Sequence, residues 1–152
     1  MTKRSKFLLS VLSILVILGT LLLPMSVLAK GEGRSREASV TIAVPWDAHR
    51  PYQAKVGRVR VVILPGTLPE PEGGSEYLFT LSVQEKGNAF IADLTLEPPV
   101  ETFRRPVLAK FGSADVVYYC PDADCAAGEG EPIPTRGGWA MLDHFSRYSG
   151  WY

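Results

Sequence analysis

The chain has 152 residues, with 16 lysines and arginines against 16 aspartates and glutamates, two histidines, two cysteines and a formal net charge of zero. That balance leaves no basic footprint of the kind nucleic acid needs, and the length suffices for one domain with a hydrophobic core but not for two. Charge is uneven, with seven basic and three acidic side chains in residues 30–60 and six and thirteen in 61–152, which either steers the chain towards a charged partner or simply solvates its surface.

Residues 1–29 read as an export signal. Lys3, Arg4 and Lys6 form a positive start, Phe7 to Leu23 an apolar core, and Pro24 a break before Val27-Leu28-Ala29, which places small or aliphatic residues where a signal peptidase reads. The alternative is an uncleaved membrane anchor, since the core is near the minimum length for a spanning helix. Both readings place the rest of the chain outside the cytoplasm. Cleavage after Ala29 leaves 123 residues with a net charge of −3. Residues 30–37 (KGEGRSRE) read as a flexible lead-in, and 38–152 as the folded domain.

Within that domain, Ser39 to Val44 alternates Val40, Ile42 and Val44 with Ser39, Thr41 and Ala43, a first strand stopped by Pro45. Pro45 to Lys55 reads as an aromatic loop, and Val56 to Leu64 as a single strand with Val59, Val61 and Ile63 on one face and Arg58 and Arg60 on the other. Pro65 to Ser75, rich in proline and glycine, reads as a long exposed loop with nothing to bury.

Tyr77 to Glu97 is the central feature. Tyr77, Phe79, Leu81 and Val83, then Phe90, Ala92, Leu94 and Leu96, each alternate with more polar residues on either side of a glycine-containing break. This predicts a β-hairpin with one apolar face, pairing Val83 with Phe90 and Tyr77 with Leu96 through a loop at Lys86-Gly87 or Glu85 to Asn88. Asp93 and Glu97 then lie on the outer face, and Asp93 reads as a solvent-exposed site. Pro98-Pro99 ends the hairpin, and Val107 to Phe111 and Val116 to Cys120 are further strands. Pro121 to Gly138 reads as loop. In Trp139 to Ser149, Met141, Leu142, Phe145 and Tyr148 fall on one helical stripe, which predicts a short C-terminal helix docked on the strands, or a ragged tail. Six or seven short strands joined by Pro/Gly turns predict an all-β fold, a small antiparallel β-sandwich on an immunoglobulin- or fibronectin-like plan.

Four constellations could carry chemistry. Cys120 and Cys125 are the only cysteines, and export favours a disulfide between them. The competing reading joins Cys120 and Cys125 to His144 as a soft-metal site. Asp122, Asp124, Glu129 and Glu131 are weak candidates for calcium, without the spacing of an EF-hand loop. Asp143-His144 near Ser146 resembles part of a hydrolytic triad in composition, but neighbours on a helix point about 100° apart and could not orient one another. Aromatic side chains outside the strands, Trp46, Tyr52, Trp151 and Tyr152, could stack on a sugar or a protein partner; otherwise Trp46 plugs one end of the core. No motif is specific enough to name a family. The sequence therefore predicts an exported, non-catalytic module without cofactor, binding a protein or glycan partner in the cell envelope or outside the cell. Contact with a membrane is expected only if the N-terminal segment stays uncleaved.

Overall fold

The computed structural model describes residues 34–121 and 125–152; the proposed signal at 1–29, most of the lead-in, and Asp122 and Asp124 lie outside the described residues. Among the described residues there are ten strands and no helix. These are β1 (Arg36–Pro45), β2 (Tyr52–Val56), β3 (Val59–Ile63), β4 (Glu76–Lys86), β5 (Ala89–Glu97), β6 (Val107–Phe111), β7 (Val116–Cys120), β8 (Glu131–Pro134), β9 (Trp139–Leu142) and β10 (Arg147–Trp151). They form two antiparallel sheets, one of six strands in the order β1-β4-β5-β10-β7-β8 and one of four in the order β2-β3-β6-β9. The all-β sandwich is as the sequence predicts, although ten strands exceed the seven of the immunoglobulin constant plan.

The β4–β5 hairpin supplies the middle of the core. Tyr77, Phe79, Leu81 and Val83 are at most 2% exposed, and Phe90, Ala92 and Leu94 at most 1%. Burying side chains of this size stabilises the fold by about 1.5–3 kcal/mol each. The faces are those expected, but the register differs by two residues: Val83 opposes Ala92, Leu81 opposes Leu94 and Phe79 opposes Leu96. The cause is the turn. Lys86 pairs with Ala89, so Gly87-Asn88 forms the loop, and Gly87 takes a φ of 65° at its first position. Glycine adopts that conformation without steric cost, as a two-residue turn with positive φ at its first central residue demands.

The same device divides the stretch predicted as one strand from Val56 to Leu64. Val56 opposes Val59 across Gly57-Arg58, with φ 54° at Gly57, so Tyr52 to Val56 is a strand of its own rather than loop. Strand β1 begins at Arg36, two residues inside the expected lead-in. The Pro65–Ser75 loop is not idle either, since Thr67 and Leu68 are buried and the Tyr77 hydroxyl donates to the Pro69 carbonyl at 2.9 Å. Residues 131–134 form an edge strand within the predicted Pro121–Gly138 loop.

The largest correction is at the C-terminal segment. No helix forms at Trp139–Ser149; β9 joins the four-stranded sheet beside β6, and β10 enters the six-stranded sheet between β5 and β7. Alternation decides the geometry of β9, where Ala140 and Leu142 point inward and Met141 is 71% exposed. In β10, Tyr148 is fully buried and donates its hydroxyl to the His144 carbonyl at 2.9 Å. Phe145 lies between the rings of Phe79 and Phe103, with both centroids 4.7 Å away. Pairing partners more than twenty residues distant thus override a local pattern that also fits a helix.

Candidate functional site

Strand β5 has nine residues and β10 only five, so the two run side by side no further than the Asp93–Arg147 pair. Beyond it the Leu94 amide donates to the Ser146 carbonyl at 2.9 Å, and the chain then peels away towards β9. This leaves a notch in the six-stranded sheet. It opens as a cleft of about 380 Å³, walled by Leu96, Pro99, Val100 and Phe145, with Asp93 and Arg147 at one lip and Cys120-Pro121 at another. The volume lies at the lower end of the range for small-ligand sites.

The polar lip is an organised ion pair. Arg147 Nε donates to Asp93 Oδ1 at 2.6 Å and its Nη2 to Asp93 Oδ2 at 3.0 Å. That carboxylate raises the guanidinium pKa further, through the hydrogen bonds first and its charge second. Asp93 is therefore not the free surface residue expected. Its partner lies 54 positions along the chain, and no spacing rule connects the two.

Cys120 borders the cleft on the sheet face turned away from the core, opposite Arg147. It is nevertheless fully buried, because residues 125–130 fold over this face. Its Sγ donates to the Glu129 carbonyl at 2.9 Å, and the Gly128 amide donates to Ser149 Oγ at 3.3 Å. Both cysteines are free thiols in this structure. Burial, reinforced by hydrogen bonding with Cys125, pushes the Cys120 thiol up to about 11. His144 packs on the Tyr119 ring at 4.7 Å, and Tyr119 points to the opposite face of β7 from Cys120. A site uniting Cys120, Cys125 and His144 is thus not assembled, and among the described residues no three His, Cys, Asp or Glu side chains gather to hold a metal ion. Glu129 and Glu131 are exposed, and Glu129 Oε2 accepts from the Ala126 amide.

Asp143 and His144 do orient one another, contrary to the argument from helical geometry. They lie in a bend, and Asp143 Oδ1 is 2.5 Å from His144 Nδ1. The relay stops there, since His144 Nε2 is buried without a hydrogen-bond partner and no hydroxyl reaches it.

The four candidate aromatic residues are divided between two ends of the sandwich. Trp46 follows the β1 end that pairs with Glu76, and Tyr52 opens β2; both are half-buried against the core, so Trp46 plugs that end. Trp151 and Tyr152 lie at the far end, where Trp151 pairs with Ala89. Tyr152 stacks on Phe90 at 4.8 Å, has the Arg58 guanidinium over its ring at 4.9 Å and donates its hydroxyl to Glu85 at 2.9 Å. Of the four, Trp151 alone is exposed, at 43%, with one side against Tyr118 and Gly128. No shared aromatic platform results.

Comparison of the chain with protein-family models, with curated proteins and with solved structures gave no match.

Proposed function

We propose that the chain is an exported, non-catalytic β-sandwich module that binds a protein or carbohydrate partner at a loop edge, in the cleft beside Asp93 and Arg147. The observation that carries this reading is the pairing of an apolar wall with an ion pair at one lip of an open cleft. Leu96, Pro99, Val100 and Phe145 offer a surface for a sugar face or an apolar side chain, while the charged Asp93 carboxylate at the lip offers an acceptor that fixes its orientation. Export rests on the character of residues 1–29. The non-catalytic reading is supported by the Asp143–His144 pair ending at an unpartnered ring nitrogen. In an oxidising compartment Cys120 and Cys125 close as a disulfide, with Cys120 at the cleft's lip.

The test uses immobilised protein from cells expressing the full chain, exposed to fractionated cell-envelope glycans and proteins. Wild type and Trp151→Ala should retain the same component, and Thr95→Arg, an exposed change at the cleft, should lose it. Retention that survives Thr95→Arg but not Trp151→Ala would move the site to the opposite end of the sandwich.

A further inference from the structure

The two sheets present four edges, and three are guarded. Strand β8 has four residues, two of them Pro132 and Pro134, which cannot donate to a new ladder. Strand β9 is also four residues long, and its neighbour Arg136 folds back to bridge Trp139. Strand β2 has five residues and carries Lys55 exposed. Short edge strands, prolines and lysines are the usual means of blocking edge-to-edge pairing.

Strand β1 has none of these between Ala38 and Val44. It pairs with β4 along ten residues, and from Ala38 to Val44 it contains no charge, proline or glycine. Its inward residues Val40 and Ile42 are only half-buried although they pack against the core. Its outward hydroxyls form cross-strand pairs with β4, Ser39 with Ser82 at 3.0 Å and Thr41 with Thr80 at 2.8 Å.

We propose that β1 is a dimerisation edge, pairing antiparallel with β1 of a second copy about a two-fold axis at Val40, so that the two six-stranded sheets become continuous. The register is the longest ladder of β1 residues, Arg36 to Val44, that meets three constraints. Keeping inward residues opposite inward ones requires that paired residue numbers sum to an even value. Arg36 opposite Arg36, or Glu37 opposite Glu37, is repulsive, which removes the registers centred there. Centring on Val40 also leaves Pro45 beyond the paired residues, whereas centring on Thr41 brings it in. With the axis at Val40, Ser39 meets Thr41 of the second copy and extends the hydroxyl rows outward. Ala38 meets Ile42 and Val40 meets Val40, which completes the burial of the half-covered inner face. Arg36 faces Val44, so no like charges oppose each other. A two-fold contact in which one patch meets itself is the commonest route to a dimer.

The test is the solution mass of protein purified from cells expressing the full chain, measured by light scattering across a concentration series. Wild type should be a dimer. Ser39→Lys with Thr41→Lys sets two like-charged pairs opposite each other in the proposed register, residue 39 of each copy against residue 41 of the other; both positions are exposed in the single chain, so the fold should survive and the dimer be lost. Ser39→Asp with Thr41→Asp should likewise be monomeric, and an equimolar mixture of the two double variants should recover the dimer as a mixed species. Circular dichroism of each variant checks that the fold is kept. A monomeric wild type, a dimer that persists in the lysine variant, or a mixture that stays monomeric would each overturn the proposal.

Discussion

The β4–β5 hairpin and the β9–β10 segment bury side chains of the same kind by opposite means. In the hairpin the partners are neighbours in sequence, joined by Gly87-Asn88, and the pairing runs from Leu78–Glu97 to Lys86–Ala89. Long strands result, each with one fully buried face. Strands β9 and β10 are also consecutive, yet they do not pair with each other. Four residues, Asp143 to Ser146, carry the chain from one sheet to the other, and each strand takes partners placed earlier in the chain. A hairpin specifies itself, whereas a strand that crosses between sheets is specified by the slot it fills.

That contrast explains what could be read in advance. The faces of the hairpin follow from period-two alternation, which needs only the residues themselves. Its two-residue offset came from the turn, where the strand residues fit either register and glycine's positive φ chooses one. The segment Trp139–Ser149 is too short for alternation to outvote a helical stripe: Leu142 and Tyr148 are buried in either conformation, and only Met141 separates them. The cleft was beyond reach for the same reason. Asp93 and Arg147 meet because β10 fills the slot beside β5, and Cys120 is buried on an outward face because residues 125–130 fold over it.

Substitutions can break or sharpen the comparison. The largest effect is expected at Leu94, 1% exposed in the hairpin; Leu94→Ala should cost about 2–5 kcal/mol in a denaturant titration. Phe145→Ala should cost about 2–3 kcal/mol, because a half-buried ring in contact with two others is lost where the chain crosses between sheets. Were it neutral, the crossing would contribute nothing to holding β10 in place. Asp93→Ala should cost about 1–2 kcal/mol, since it removes a two-point, charge-assisted contact to a partly covered guanidinium that ties the hairpin to β10. A free surface carboxylate would give a change within about 0.5 kcal/mol.

A smaller effect is expected in the pH dependence of the reduced protein. The fold keeps the Cys120 proton up to about 11, while the unfolded chain releases it near the ordinary thiol value of 9.0. Stability should therefore be unaffected by this group below that ordinary value, then fall as pH rises from there towards 11. Cys120→Ala, measured at pH 8, 9 and 10 with reductant present, should show a shallower decline; the hydroxyls of Tyr77, Tyr148 and Tyr152, also raised by desolvation, contribute to what remains. The smallest effect distinguishes strand from helix. Met141→Lys should change stability by less than about 0.5 kcal/mol, because the side chain points to solvent. A loss of 2 kcal/mol or more would return Met141 to a buried helical stripe.

The position of β10 also sets an order of events for the chain. Strands β1, β4 and β5 can assemble as one unit, and β7 with β8 as another, but both present an open flank until Arg147–Trp151 slides between them. The strand that closes the six-stranded sheet thus comes after the nine other strands of the described residues, and its contact with Asp93 closes a loop of more than fifty residues. Closing a loop of that size before its contacts stabilise it slows folding. Until then the growing chain remains pliable and exposes two sheet edges that invite wrong partners.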